Sequence, residues 1–144
     1  MRRSESADRV ADTSALLAGI RVLVVEDNDD TREVLGLSLE LVGAEVTGAA
    51  SVDEAVRADL TAFDVAITDL SMPDRDGYDL LREAHAQAPA LRVIAVSGYS
   101  REQEQQRGGT PDSFAGYLVK PVDHEELLNT IHRVANAGPP GESP

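Results

Sequence analysis

The sequence contains no cysteine, few basic residues and no long apolar run. Without cysteine the chain cannot form disulfides, thiolate zinc sites or a cysteine nucleophile, and it suits a reducing compartment. Lysine and arginine number 13 against 26 aspartate and glutamate residues, a formal net charge of −13. Because binding nucleic acid requires concentrated positive charge, we expect no direct contact with nucleic acid.

The chain also lacks the segments that lead proteins into membranes. No uncharged apolar stretch approaches the roughly 18 residues that a membrane span needs. Met1-Arg2-Arg3 is basic, but residues 4–12 are polar and charged rather than an apolar signal core. We therefore expect a cytoplasmic protein that makes no membrane contact.

What the sequence does contain suits one folded domain. A chain of 144 residues with 42% hydrophobic content can bury a single core, and such a content is too high for a disordered chain. We expect a flexible N-terminal extension over residues 1–18, a folded domain over 19–136 and a flexible tail over 137–144.

Apolar runs of the β type alternate along the chain with patterns typical of helices. The clearest runs are residues 22–25, 65–68, 93–96 and 117–119, and a weaker one covers 45–50. The helical patterns cover residues 31–42, 51 onward, 77–88, 100–107 and 127–134. This alternation predicts an α/β fold, in which helices cover both faces of a parallel sheet.

Two of the helical patterns carry particular signals. In residues 31–42 the apolar side chains recur at steps of three and four, forming a stripe of Val34, Leu35, Leu37, Leu39, Leu41 and Val42. Residues 100–107 are instead polar almost throughout, and Gly108-Gly109-Thr110-Pro111 breaks the pattern early. We expect the cover that this fourth helix gives the sheet to be thin and mobile.

Acidic residues follow two of the β runs. Glu26 and Asp27 come after the first run and Asp69 after the second, and the carboxyl ends of parallel strands share one edge of a sheet. A single carboxylate there is most often a helix cap. Three carboxylates crowded together repel one another unless a cation lies among them, and a hard ion such as Mg2+ removes that repulsion.

Two further strand ends add a hydroxyl and an ammonium group. Ser97 follows the third run and Lys120 the fourth. A metal, an ammonium and a hydroxyl around a carboxylate match what a phosphoryl group needs during transfer. The carboxylate is then the nucleophile and forms an acyl phosphate. Since no residue is placed as a general base for hydrolysis, we expect this intermediate to persist as a signal.

Four blocks in this order resemble the receiver domain of bacterial response regulators, over about residues 20–136. They are Val24-Val25-Glu26-Asp27-Asn28, Thr68-Asp69-Leu70-Ser71-Met72-Pro73 with Asp76-Gly77, Val96-Ser97-Gly98, and Tyr117-Leu118-Val119-Lys120-Pro121. The resemblance implies a flavodoxin-like (βα)5 fold, a doubly wound parallel sheet with strand order 2-1-3-4-5.

The resemblance also implies a role for each matching residue. Asp69 would accept phosphate from the phosphohistidine of a sensor histidine kinase or a histidine phosphotransfer protein. Asp27 would bind Mg2+ directly, together with Asp69 and the Ser71 carbonyl, and Glu26 would be the outer acidic partner. Ser97 and Lys120 would contact the phosphoryl group, and the peptide bond before Pro121 would be cis.

Tyr117 matches the aromatic switch residue of this family. In that role it turns inward when the hydroxyl of Ser97 moves toward a phosphoryl group, and the altered face is read by a downstream protein. The alternative for Tyr117 is an aromatic side chain that simply packs at the edge of the sheet. Tyr99, which lies two residues after Ser97, is bulky enough to shield the acyl phosphate, so we predict slow dephosphorylation.

Other interpretations of the sequence remain open. The chain is either a receiver that regulates another protein directly, an intermediate in a phosphorelay, or a degenerate scaffold that binds without phosphorylation. An enzyme acting on outside substrates is disfavoured, because such phosphatases need a second acid where Ser71 stands. No metal motif includes the three histidines, so we expect His85, His124 and His132 to face solvent.

Overall fold

The computed structural model describes residues 15–72 and 75–137. Most of the predicted flexible extension, residues 1–14, lies outside the described residues, as do Pro73 of the second motif and residues 138–144 of the predicted tail. Within the described part of the chain, no helix is long and apolar enough to cross a bilayer.

Five strands and five α-helices alternate along the described residues. They are β1 (Arg21–Val25), α1 (Asp29–Glu40), β2 (Glu45–Ala49), α2 (Val52–Arg57), β3 (Val65–Asp69), α3 (Gly77–Gln87), β4 (Arg92–Ser97), α4 (Arg101–Gln106), β5 (Gly116–Val119) and α5 (His124–Ala135). All strand pairs are parallel, and the strand order is β2-β1-β3-β4-β5. The predicted flavodoxin-like fold is confirmed.

The core has two halves because successive strand residues point to opposite faces of the sheet. On β1, Leu23 and Val25 belong to the half covered by α2 and α3, whereas Val22 and Val24 belong to the half covered by α1 and α5. A sheet buried on both faces explains why the β runs are continuously apolar rather than alternating.

Helix α1 differs from the sequence prediction in its start and in its buried face. It begins at Asp29 rather than at residue 31, because the Asn28 side chain caps it by accepting a hydrogen bond from the Thr31 N–H at 2.8 Å. Only part of the predicted apolar stripe is buried in the core. Leu39 and Val42 are buried, whereas three members are largely exposed: Val34, Leu37 and Leu41, by 66%, 55% and 80%.

The folded unit extends before residue 19, where the sequence analysis placed its start. The Leu17 side chain is fully buried, and its N–H donates to the Val42 carbonyl at 2.9 Å. Leu17 therefore belongs to the core under α1 rather than to a flexible extension. Gly43 lies against this segment with φ of 101°, and a Cβ there would stand 2.9 Å from the Ala18 Cα, so the position requires glycine.

Helix α4 is short, as the sequence predicts, and its end folds back onto α3. Among its residues only Glu104 is buried. The Tyr78 hydroxyl on α3 donates to the Glu104 carboxylate at 2.9 Å and accepts from the Thr110 N–H at 2.9 Å. A Cβ at Gly109 would approach the Glu104 Oε2 to 2.2 Å and the Tyr78 hydroxyl to 2.5 Å. Gly109 therefore lets the loop pack closely against this polar pair.

Candidate functional site

The residues singled out at the strand ends lie along one edge of the sheet. Strand β3 ends at Asp69 and β4 ends at Ser97, while Glu26 directly follows β1 and Lys120 directly follows β5. The edge is shared because the strands are parallel. The structure thus brings together the acidic, hydroxyl and ammonium side chains that the sequence analysis placed there.

Asp69 is the buried centre of this edge, with a side chain that is 7% exposed. Its Oδ2 lies 2.5 Å from the Lys120 Nζ, and its Oδ1 accepts a hydrogen bond from the Ser71 N–H at 2.8 Å. The Lys120 N–H donates to the Ser97 carbonyl at 2.7 Å, which ties the end of β5 to the end of β4. The Lys120–Pro121 peptide bond is cis.

The two acids after β1 lie on a turn next to Asp69. Burial raises the pKa of the Glu26 carboxyl above its ordinary value, and the neighbouring Asp27 and Asp69 carboxylates raise this pKa further. The Asn28 N–H, which donates to the Glu26 Oε2 at 3.0 Å, opposes that shift. Like charges at this edge therefore oppose the ionisation of Glu26, an effect that a nearby cation would reverse.

The donor set suits Mg2+, although its side chains do not form a closed cage. In residues 15–72 and 75–137 no group of three or more His, Asp or Glu side chains is placed to hold a metal ion. Both Asp69 oxygens already have partners, in Lys120 and the Ser71 N–H. Mg2+ is commonly bound by only one or two carboxylates together with water, and the acids of this edge can supply those.

Ser97 and Tyr117 meet on the backbone of one residue, Tyr99. The Ser97 side chain is 1% exposed and its Oγ accepts from the Tyr99 N–H at 3.0 Å. The Tyr117 hydroxyl donates to the Tyr99 carbonyl at 2.6 Å, and the Tyr117 side chain lies inward, 8% exposed. The guanidinium of Arg101 lies 5.4 Å from the centre of the Tyr117 ring. A movement of Ser97 would therefore act directly on the residue that anchors Tyr117.

Tyr99 lies beside this site, since its N–H donates to the Ser97 Oγ. The Tyr99 ring is partly exposed and packs 4.1 Å from the guanidinium carbon of Arg107. The shielding of an acyl phosphate by Tyr99 stays a prediction. His85, His124 and His132 are all exposed on helices, as predicted.

A cleft of about 560 Å³ opens beside Asp69, between α1 and the start of α5. Its walls are largely apolar, and Val34 from the exposed part of the α1 stripe belongs to them together with Leu35, Val122 and Leu127. Asp69 and Lys120 also line it. The carboxylate is thus reached through an apolar cleft that continues into the exposed face of α1.

Sequence reasoning did not single out Arg32 at this edge. Its guanidinium donates to the Glu26 carbonyl at 2.8 Å. The only signal in the sequence is that Arg32 falls on the first turn of a helical pattern that follows the acidic pair. Nothing in that pattern indicates that the side chain turns back toward Glu26.

A comparison with protein families matches residues 22–132 to the response regulator receiver domain. The chain is 35% identical to the response regulator protein FleR of Pseudomonas aeruginosa and spans 84% of its own length but 26% of FleR. It is 34% identical to the sensor kinase CckA of Brucella abortus, spanning 85% of itself and 13% of CckA. With the receiver protein CpdR of the same organism it shares 31% identity over 79% of this chain and 95% of CpdR.

Solved structures show the same fold. The receiver domain of HemR from Leptospira biflexa, in its non-phosphorylated form, superposes with a TM-score of 0.73 at 29% identity, over 85% of this chain and 99% of that one. The response regulator TrrA of Thermotoga maritima, in complex with Mg2+ and BeF, superposes with a TM-score of 0.69 at 25% identity, over 80% of this chain and 98% of that one.

Proposed function

The chain belongs to the response regulator receiver domain family, and on that premise we propose that Asp69 accepts a phosphoryl group from a phosphohistidine. Receiver domains of this kind act in two-component systems, where their relatives are response regulators and sensor kinases. We propose a sensor histidine kinase or a histidine phosphotransfer protein as the donor. The observation that carries the proposal is the buried Asp69 carboxylate, held 2.5 Å from the Lys120 Nζ where four strand ends meet.

The proposed reaction moves one phosphoryl group between two side chains. A carboxylate oxygen of Asp69 attacks the phosphorus, and the bond from phosphorus to the imidazole nitrogen of the donor breaks. The electron pair of that bond stays on the imidazole nitrogen, so an acyl phosphate forms on Asp69 and the donor histidine is released. Lys120 then pairs with the phosphoryl oxygens, and the Ser97 hydroxyl donates a hydrogen bond to one of them.

Mg2+ would be held by the carboxylates of Asp27 and Asp69 and by the Ser71 carbonyl, with Glu26 as the outer acidic partner that reaches it through water. When bound, it would neutralise the charge that gathers on the phosphoryl oxygens during transfer. The relative TrrA carries Mg2+ in its solved structure, which supports this assignment. The chain would catalyse its own phosphorylation and dephosphorylation only, within the cytoplasm.

The face formed by α4, β5 and α5 would report the phosphorylation to a downstream protein. Ser97 and Tyr117 both contact the Tyr99 backbone, at 3.0 and 2.6 Å. When Ser97 turns toward the phosphoryl group, the Tyr99 N–H loses its acceptor and the segment that leads into α4 shifts. Tyr117 already lies inward, so it would not turn in from solvent but would shift with this segment, to which its hydroxyl is bonded.

The exposed apolar face of α1 would receive the donor protein. Val34 and Leu37 are 66% and 55% exposed, and Val34 lines the cleft that leads to Asp69. Exposed apolar patches of this kind mark contact sites for other proteins. Replacing Leu37 with serine should slow transfer from a phosphohistidine donor severalfold and leave phosphorylation by acetyl phosphate unchanged. An equal loss with both donors would argue against docking at this face.

Intact-protein mass spectrometry tests the phosphorylation itself. After incubation with acetyl phosphate and Mg2+, the wild type should gain one phosphoryl group, while Asp69→Asn and a sample without Mg2+ should not. No gain in the wild type under any condition would favour a scaffold that binds without phosphorylation. Return of phosphate from Asp69 to the donor histidine would favour a phosphorelay intermediate.

A further inference from the structure

Arg32 joins the first turn of α1 to the acidic turn after β1. One arm of its guanidinium donates to the Glu26 carbonyl at 2.8 Å, and the other pairs with the Asp29 carboxylate at 2.6 Å. The Arg32 side chain is 23% exposed. Because the guanidinium is planar and rigid, two simultaneous contacts fix both its position and the position of the groups it bonds.

Gly48 on β2 provides the space that this arrangement requires. A Cβ at Gly48 would stand 3.1 Å from the Arg32 Cδ and 3.3 Å from its Cγ. Those distances are tighter than most carbon contacts, so a larger residue at this position would press on the arginine stem and move it by a few tenths of an ångström. Because Gly48 carries no side chain, Arg32 can lie across the edge of the sheet and reach the end of β1.

The bond from Arg32 completes the set that shapes the turn carrying Glu26 and Asp27. The Glu26 N–H donates to the Ala49 carbonyl at 3.0 Å, and the Glu26 carboxylate accepts from the Asn28 N–H at 3.0 Å. The Glu26 carbonyl, which belongs to the peptide joining Glu26 to Asp27, is held by Arg32. Rotation of that peptide would redirect the Asp27 side chain, so its fixed orientation matters for any cation bound there.

We propose that Arg32, in the space left by Gly48, is a positioning residue that orients the Glu26-Asp27 carboxylates toward a divalent cation. This inference rests on the proposed function, since the cation is the Mg2+ of phosphoryl transfer. Groups that hold the ligands of a metal, rather than the metal, commonly change its affinity by about 10- to 100-fold when removed.

Whether the loss of Arg32 weakens or strengthens Mg2+ binding distinguishes a positioning role from an effect of its charge. Arg32 is itself a cation near the acidic turn, so through charge alone its removal would strengthen Mg2+ binding. If it acts by positioning, its removal weakens binding. Gly48→Ala presses on the arginine stem while keeping its charge, and should weaken Mg2+ binding slightly.

The experiment measures Mg2+ binding to the unphosphorylated full chain by isothermal titration calorimetry. We expect Arg32→Gln to weaken binding about tenfold, Gly48→Ala and Arg32→Lys to weaken it by a smaller factor, and Arg57→Gln, on the exposed end of α2, to match the wild type. Thermal unfolding without Mg2+ checks that each variant is folded. In phosphorylation by acetyl phosphate, Arg32→Gln should need a higher Mg2+ concentration than the wild type to reach half of its maximal rate, and its maximal rate should equal that of the wild type.

Two results would overturn the inference in different ways. Unchanged or tighter Mg2+ binding by folded Arg32→Gln would show that Arg32 does not position the acidic turn, and would leave the proposed function intact. If the wild type bound no Mg2+ and gained no phosphoryl group, the proposed function would fail together with the inference.

Discussion

Replacing Tyr78 with phenylalanine tests whether the end of α4 is held to α3 by a single hydroxyl. The hydroxyl donates to the Glu104 carboxylate at 2.9 Å and accepts from the Thr110 N–H at 2.9 Å. The ring packs against Phe114 with centroids 5.1 Å apart, and phenylalanine keeps that contact. The substitution therefore removes the hydrogen bonds and little else.

The expected loss of stability depends on the two groups that lose their hydrogen-bond partner, the Glu104 carboxylate and the Thr110 N–H. A hydrogen bond to a charged group contributes about 1.5–3 kcal/mol, and the Glu104 side chain is only 9% exposed. The Thr110 residue is exposed, so water replaces its partner at little cost. We expect Tyr78→Phe to lower the free energy of unfolding by about 2 kcal/mol and the melting temperature by roughly 6–10 °C.

Urea unfolding followed by circular dichroism gives the measurement. Tyr99→Phe is the matched control, because the described residues show no hydrogen bond from the Tyr99 side chain, and it should unfold like the wild type. In Tyr78→Phe, replacing Glu104 with glutamine should cost less than in the wild type, since the pair is already broken. Equal stability of Tyr78→Phe and the wild type would refute the reasoning.

Three further predictions concern ionisation, packing and phosphate lifetime. Burial and the bond to the Glu104 carboxylate raise the pKa of Tyr78 to about 12. The contribution of the neutral Tyr78 hydroxyl to stability is therefore complete below about pH 10 and is lost as the pH rises through about 12. In an absorbance titration of tyrosinate against pH, the wild type should show one tyrosine that ionises near pH 12, and Tyr78→Phe should lack it. Gly77→Ala places a Cβ 2.7 Å from the Leu70 Cδ2 and should cost about 1–3 kcal/mol in urea unfolding; unchanged stability would contradict the close packing. Tyr99→Ala should speed phosphate loss in a radiolabel chase if the ring shields Asp69, and an unchanged rate would exclude shielding.

The strand ends of the site were predictable because they depend on local signals. Each β run is apolar up to the residue where a polar side chain ends it, and the carboxyl ends of parallel strands share an edge. Asp69, Ser97 and Lys120 follow from that rule without knowledge of any contact. Helix α5 begins at His124, three residues before the helical pattern of the sequence, because the Asp123 side chain caps it by accepting from the Glu126 N–H at 3.0 Å; this cap is also a local signal.

Features that join distant parts of the chain were not predictable in this way. Helical periodicity grouped six apolar residues between positions 34 and 42. It does not indicate which side of so wide a stripe meets the sheet, and Leu37 is exposed in the structure. The Arg32 side chain depends on a glycine in another element, Gly48. The pairing of Tyr78 with Glu104 crosses from α3 to α4, and no pattern within either helix indicates it.

The most direct test of the central claim is to locate the acyl phosphate by chemical trapping. After treatment with acetyl phosphate and Mg2+, borohydride reduces an aspartyl phosphate to homoserine, which peptide mass spectrometry places in the sequence. We predict homoserine at position 69 and at no other aspartate. Reduction at Asp27 or Asp76 instead, or no reduction in a protein that has gained a phosphoryl group, would contradict the assignment of Asp69 as the phosphoacceptor.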